Sequence, residues 1–71
     1  MSKMSLRDAR AKAGLKKGYV AEQVQVSQAT LTNWEKGKTS PEMQQGAYLA
    51  MLYGVKISDI DFSKEAQQAR A

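Results

Sequence analysis

Apolar residues recur three and four positions apart along most of this chain, the spacing that places side chains on one face of a helix. The pattern predicts five helices and no strand. Four of them cover residues 6–13, 17–24, 28–36 and 41–53, and a short fifth begins within residues 58–62. A chain of 71 residues has room for a single hydrophobic core. We therefore expect an all-α protein, a compact bundle of five short helices.

Residue types that favour helix ends support these boundaries. Ser5 and Ser27 are good N-caps, because a serine hydroxyl accepts a hydrogen bond from a free amide of the first turn. Ser40 and Pro41 indicate the start of the fourth helix, with Ser40 as the cap and Pro41 as the first helical residue. Glycine ends the first, third and fourth helices, at positions 14, 37 and 54.

The same spacing predicts which residues are buried and where the folded domain ends. From Ser63 onward large apolar residues are absent, which predicts a solvated extension or a frayed tail. We therefore divide the chain into a domain, residues 1–62, and a short C-terminal tail or helix extension, residues 63–71. The predicted inner face of the fourth helix consists of Met43, Ala47, Ala50, Leu49 and Tyr53.

Composition excludes several classes of site. The chain contains no cysteine and no histidine, which excludes a disulfide, a Cys/His zinc site and a nucleophile activated by histidine. The carboxylates form no cluster in the sequence, so we expect neither an enzyme nor a metal or cofactor site. The longest apolar stretch, residues 47–52, is too short for a membrane span or a signal-peptide core. A cytoplasmic protein is expected.

Positive charge is concentrated in the first part of the chain. Residues 1–41 carry eight Lys/Arg and three Asp/Glu, a net charge of +5, whereas residues 42–71 carry three and four, a net charge of −1. A basic half is typical of a surface that faces a polyanion such as DNA. The alternative is an ordinary solvated surface, since lysines on small domains often serve solubility alone.

The third predicted helix has two different faces. Its inward residues, Leu31 and Trp34, are three positions apart and apolar. The outward residues carry amides, hydroxyls and methyl groups in place of the mixed charges of a solvated helix: Gln28, Ala29, Thr32 and Asn33.

Residues 6–60 carry the following residues in register: Gly14-Leu15, Val20-Ala21, Val24, Val26-Ser27, Thr30-Leu31, Trp34-Glu35, Gly37, Pro41, Leu49-Ala50, Gly54-Val55, Ile57 and Ile60. In this combination the chain resembles the Cro/CI-type helix-turn-helix family of phage repressors and bacterial regulators, also called the XRE family. The resemblance implies a lambda-repressor-like DNA-binding domain whose helix-turn-helix is formed by the second and third helices. It also implies a sequence-specific regulator that binds double-stranded DNA, most similar to the small Cro-like repressors of phages and prophages.

The resemblance assigns roles to individual residues. The third helix enters the major groove, and its outward residues face base edges: Gln28, Ala29, Thr32 and Asn33. The expected phosphate contacts are Lys17, Ser27, Lys36, Lys38 and Thr39. Arg10 and Glu35 are expected to form a structural ion pair between the first helix and the end of the third, so Arg10 is not assigned to DNA.

The chain departs from the family pattern at three places. Lys16-Lys17 replaces a Thr-Gln or Ser-Gln pair, which retains the attraction to phosphate but changes the geometry of the contact. Gln25 stands where glycine is common, at a position that tends toward positive φ and is costly for a residue with a Cβ. Gly46 replaces a leucine, so the fourth helix loses a core side chain.

One such domain covers few base pairs, so the resemblance implies a homodimer on an inverted-repeat operator, with half-sites about 34 Å apart. The candidate dimer contact is Val55, Ile57, Ile60 and Phe62, and these residues are equally compatible with the monomer core. Two alternatives stay open. One is a restriction-control protein or another autoregulator of the same fold; the other is an antitoxin or adaptor that acts mainly by binding a protein.

Overall fold

Five α-helices are present in the computed structural model, which describes residues 3–68. They are α1 (Leu6–Ala13), α2 (Lys17–Val24), α3 (Gln28–Lys36), α4 (Met43–Tyr53) and α5 (Lys64–Gln68), and a 3-10 turn spans Ile57–Asp59. No strand forms within residues 3–68, where an isolated parallel bridge joins Met4 to Ile60. The predicted all-α class and bundle of five short helices are confirmed.

The first three helices begin and end at the predicted residues, and two of them start at a local side-chain cap. The Ser5 Oγ accepts a hydrogen bond from the Asp8 amide at 3.1 Å, and the Ser27 Oγ accepts one from the Thr30 amide, also at 3.1 Å. Each hydroxyl satisfies an amide that has no partner within the helix. These two caps fix where α1 and α3 begin.

Four helices and the segment after the 3-10 turn supply the core. Apolar burial is the main source of stability in a chain without disulfides. The buried apolar residues are Leu6, Ala9, Val20, Ala21, Leu31, Trp34, Leu49, Ala50, Tyr53 and Ile60. Ala21 is the small residue at which α2 and its neighbours approach closely.

The start of α4 differs from the prediction. The helix begins at Met43, two residues after the predicted first residue, Pro41. Glu42 is the N-cap in extended conformation, and its amide donates to the Gln45 Oε1 at 2.9 Å. This reciprocal capping arrangement favours Glu42 as the N-cap. The helix therefore starts after Glu42 and not at Pro41.

The predicted inner face of α4 is also partly wrong. Met43 is 86% exposed and Ala47 is exposed, whereas Gly46 is buried with Leu49 and Tyr53. A Cβ at position 46 would lie 3.2 Å from the Phe62 ring. The Phe62 ring therefore lies over the glycine, and the buried face starts at a residue without a side chain.

The fifth helix lies later than predicted. Residues 57–59 form the 3-10 turn, and α5 follows within the predicted tail. Gln67 of α5 is 2% exposed, and its Oε1 accepts a hydrogen bond from the Leu6 amide at 2.8 Å. Its Nε2 donates to the carbonyls of Asp61 and Ser63. One polar side chain thus connects α5 to the start of α1. The rest of the predicted tail, residues 69–71, lies outside the described residues.

Candidate nucleic-acid interface

Helix α3 is held by one face and presents the other to solvent. Leu31 is 0% exposed and Trp34 is 4% exposed, so both lie in the core as predicted. On the opposite side, Gln28 and Ala29 are exposed, and Thr32 and Asn33 are partly exposed. We call these four residues the outer face of α3. Gln28 and Ala29 are the most exposed of the four, so their side chains are accessible to a partner.

The chemistry of the outer face suits base edges. Glutamine and asparagine carboxamides carry a donor and an acceptor that match adenine N7 and N6 in the major groove. An alanine or threonine methyl packs against the thymine methyl. The outer face carries no ionised group, so it can discriminate bases by hydrogen bonding and shape.

The turn between α2 and α3 depends on one residue in a left-handed conformation. Gln25 has φ 65°, and within residues 3–68 it is the only residue other than glycine with a positive φ. The Val26 amide donates to the Ala21 carbonyl at 3.0 Å and closes α2. The expected positive φ at Gln25 is confirmed, and the turn is formed despite the strain of its Cβ.

The start of α2 contacts the outer face of α3. The Lys17 Nζ lies 3.4 Å from the Thr32 Oγ1. Lys17, predicted as a phosphate contact, is therefore adjacent to a predicted base contact. Its ammonium group lies at the edge of the outer face, where either a phosphate or a base edge is within reach.

The remaining predicted phosphate contacts surround the two ends of α3. Ser27 at the start is exposed, and its Oγ serves as the cap and lies 3.0 Å from the Thr30 Oγ1. At the other end, Lys36, Lys38 and Thr39 are exposed. The Lys38 amide donates to the Asn33 carbonyl at 2.9 Å, which fixes the chain after Gly37 against α3. A hydroxyl thus lies at the start of α3, and two cations and a hydroxyl lie at its end.

A basic pocket between α1, α2 and α3 adds a residue that the sequence analysis missed. Arg7 lines this pocket with Lys17 and Lys36. The pocket also contains Arg10, Thr32 and Glu35. The spacing of three between Arg7 and Arg10, which places them on one face of α1, is the signal that could have identified Arg7.

Arg10 and Glu35 form the ion pair that was expected. The Arg10 Nε lies 2.7 Å from Glu35 Oε2, and Nη2 lies 3.3 Å from Oε1. The Arg10 Nη1 donates to the Leu15 carbonyl at 3.0 Å. Hydrogen bonding to the Glu35 carboxylate raises the pKa of Arg10. The pair joins α1 to the end of α3 and so fixes the orientation of the outer face.

The candidate dimer residues differ in exposure. Ile60 is 2% exposed and belongs to the monomer core, so its assignment to a subunit contact is corrected. Val55 and Phe62 are partly buried against that core, and Ile57 is 45% exposed. Ile57 lines a groove with Met43. We call this surface the Met43–Ile57 groove; its other lining residues are Lys3, Pro41, Glu42, Gly46, Ile60, Asp61 and Phe62.

The part of the chain that the structure describes offers little else for chemistry. None of its helices has the length and apolar character needed to cross a membrane. Residues 3–68 contain no group of acidic side chains arranged to hold a metal ion.

Comparison with known proteins identifies the family. A helix-turn-helix family model matches residues 6–60, about three quarters of the chain. No curated protein and no solved structure matches the chain. The matched region contains α1 to α4 and the 3-10 turn, and so includes the outer face of α3 and the residues that support it. The chain belongs to the XRE-type helix-turn-helix family and is a DNA-binding transcription regulator.

Proposed function

We propose that this regulator is a Cro-like repressor of the phage or prophage type, which reads operator half-sites with α3 in the major groove and acts in the cytoplasm. The observation that carries the proposal is the contrast between the two faces of α3. Leu31 and Trp34 are buried, and the uncharged outer face is left free. A helix fixed in this way can insert into the groove without rearrangement.

Specificity comes from the outer face. Gln28 is at the start of α3, the end that approaches base edges in this motif. Its carboxamide pairs with adenine, and Asn33 makes a similar contact one turn further along. Ala29 and the Thr32 methyl pack against thymine methyl groups.

Affinity comes from phosphate contacts at the two ends of α3. The contributing groups are Lys17, Ser27, Lys36, Lys38 and Thr39. Each neutralised phosphate releases counterions, so binding weakens as salt rises. Arg10 is occupied by Glu35 and the Leu15 carbonyl, which supports a structural role for it.

A homodimer on an inverted repeat fits the dimensions of the protein. The longest dimension of the molecule is 30 Å, close to the spacing of about 34 Å between half-sites on one face of B-DNA, so two subunits fit side by side on adjacent half-sites. The Met43–Ile57 groove is the candidate contact. Lys3 lies at this groove together with Glu42 and Asp61. Because the groove carries both signs of charge, a second copy related by a two-fold axis can offer a carboxylate to the lysine of each subunit, which favours a second copy as the partner.

The experiment that tests the proposal selects bound sequences from a random duplex pool and then compares variants on the recovered site at several salt concentrations. Gln28→Ala is expected to lose discrimination at one base pair of each half-site, by about tenfold or more, the value of one bidentate contact. Lys38→Ala is expected to weaken binding to all sequences alike and to lower the salt slope by about one. Lys56→Ala is the matched control, because it removes an exposed lysine outside the interface.

The outcomes separate the proposal from the alternative. A recovered inverted repeat together with the two distinct variant effects supports a groove-reading repressor. If neither Gln28→Ala nor Lys38→Ala changes DNA binding, the proposal fails, and an antitoxin or adaptor that acts through protein binding is favoured.

A further inference from the structure

The backbone conformation at position 18 does not require a glycine. It is the second residue of α2, and it is not among the glycines with positive φ, which are at positions 14, 37 and 54. Glycine within a helix is less stable than alanine, because it loses more conformational freedom on folding. A glycine in an ordinary helical conformation therefore needs another explanation, and the space around it supplies one.

The space beside Gly18 is occupied by the side chain of Gln28. A Cβ at position 18 would lie 3.3 Å from the Gln28 Nε2 and 3.8 Å from its Cδ. The carboxamide of the first residue of α3 thus rests against the backbone of α2. The neighbouring residue, Lys17, approaches Thr32 of the same outer face. The start of α2 therefore contacts two of the four outer-face side chains.

We propose that Gly18 is a positioning residue for sequence recognition: the missing side chain lets the Gln28 carboxamide lie against α2 and sets the direction from which it meets a base. This inference rests on the proposed function, in which Gln28 reads DNA. A bidentate contact requires both amide atoms to lie near the plane of the base. An alanine Cβ at 3.3 Å would displace the carboxamide by a few tenths of an ångström, enough to misalign one of the two hydrogen bonds.

The test is Gly18→Ala, with base preference measured on the site selected by the wild-type protein. Discrimination at the base pair identified by Gln28→Ala is expected to fall by about three- to tenfold, a part of what the whole contact supplies. Preference at all other positions is expected to stay unchanged. Resistance to urea is expected to increase, because alanine favours the helix. A structural role for Gly18 would predict the opposite change in stability.

Two further variants make the assignment specific. In the double variant Gly18→Ala/Gln28→Ala, the substitution at position 18 is expected to have no additional effect on base preference, because the Gln28 carboxamide through which it acts is absent. Gly14→Ala is the control: it also adds a Cβ to a glycine, but nothing lies within 4 Å of that Cβ. It is expected to leave base preference unchanged.

Three results would overturn the inference. They are wild-type preference in Gly18→Ala, an effect of Gly18→Ala that persists in the Gln28→Ala background, or a general loss of affinity without a change in preference. If Gln28→Ala itself leaves preference unchanged while the protein still selects a defined duplex, the assignment of Gln28 in the proposed function fails, and the role of Gly18 fails with it.

Discussion

At the level of single residues, a small polar cluster lies beneath the DNA-binding face. Glu35 is buried and paired with Arg10, and Tyr53 of α4 is close enough for both charges to act on it. The Tyr53 hydroxyl is buried and has no hydrogen-bond partner. Burial, with a smaller contribution from the Glu35 carboxylate, raises the pKa of Tyr53 well above its usual value of 10.0. The hydroxyl therefore keeps its proton in the folded protein. Its burial without a hydrogen-bond partner lowers the free energy of unfolding.

Replacing Tyr53 by phenylalanine tests this cost. We expect Tyr53→Phe to raise the free energy of unfolding by about 1 kcal/mol at pH 7, because it removes a buried polar group without a partner. Above pH 10 the advantage should grow. The unfolded wild-type tyrosine then loses its proton while the folded one keeps it, so the wild type loses stability as the pH rises. Urea unfolding at pH 7 and pH 10.5 measures both effects.

Tyr19, which is 49% exposed, provides the control for this prediction. Tyr19→Phe should change the free energy of unfolding at pH 7 by less than about 0.5 kcal/mol. A Tyr53→Phe variant that is clearly less stable than the wild type would mean that the hydroxyl makes a favourable interaction.

Gln25 is a second residue whose conformation has a measurable cost. Its φ of 65° is strained for a side chain with a Cβ, so we expect Gln25→Gly to stabilise the fold by about 1 kcal/mol. Gln23→Gly, within the preceding helix α2 and without positive φ, should destabilise by about the same amount through lost helix propensity. Thermal unfolding of the two variants checks the opposite signs; equal signs would contradict the account.

At the level of helices, α5 supports both α1 and α3. The Gln67 Oε1 accepts a hydrogen bond from the Leu6 amide. A Cβ at Gly37 of the loop after α3 would lie only 2.8 Å from the Lys64 carbonyl oxygen. Gly37 also has φ 79°, so glycine is required there both by conformation and by the close approach of α5. The helix that follows the matched family region thus contributes to the position of the loop that carries Lys38.

Removing the Gln67 carboxamide tests the role of α5. We expect Gln67→Ala to lower the free energy of unfolding by about 2–3 kcal/mol, because it leaves buried backbone groups of α1 and of the segment before α5 without partners. Glu65→Ala, at an exposed position of the same helix, should have an effect below about 0.5 kcal/mol. Chemical denaturation followed by Trp34 fluorescence measures both; equal effects would mean that α5 is held by its backbone alone.

The sequence predicts elements where the signals are local. The bounds of α1, α2 and α3 follow from caps and apolar spacing within each segment, and the outer face of α3 follows from the same spacing. The burial of Leu49, Ala50 and Tyr53 on α4 was predicted, but that of Gly46 could not be, because Gly46 carries no hydrophobic signal and its cover, Phe62, comes from beyond the end of the helix.

Contacts between helices cannot be predicted from local sequence patterns for the same reason. The burial of polar Gln67 depends on backbone groups of distant segments. Likewise, the contact between Gly18 and Gln28, and the presence of Arg7 in the basic pocket, depend on how α1, α2 and α3 cross. The residues on the outer face of α3 were predictable; the positions of their side chains relative to α2 were not.

At the level of the whole molecule, the proposed DNA-binding face and the candidate subunit contact are different surfaces. The outer face belongs to α3, and the Met43–Ile57 groove lies between the start of α4 and the segment around the 3-10 turn. Two of the groove's apolar side chains, Met43 and Ile57, are exposed in the monomer. A surface of this kind favours weak association that is completed when two subunits bind adjacent half-sites.

The double variant Met43→Gln/Ile57→Gln tests this contact without changing the charge. We expect it to bind a single half-site with wild-type affinity but to lose cooperative binding to the full inverted repeat, by about tenfold or more if the contact is worth at least 1.4 kcal/mol. Met51→Gln is the control, because Met51 is 64% exposed on α4 but does not line the groove. Titrations of half-site and full-site duplexes measure the effect, and unchanged cooperativity would exclude this surface as the contact.

The central claim is that the outer face of α3 meets DNA, and the most direct measurement is a titration of isotopically labelled protein with the selected duplex, followed by amide chemical shifts. The account predicts that the largest shifts occur from Gln28 to Asn33, at Lys17 and Gly18, and at Lys38 and Thr39. Unperturbed α3 amides in a protein that is saturated with the duplex would contradict it.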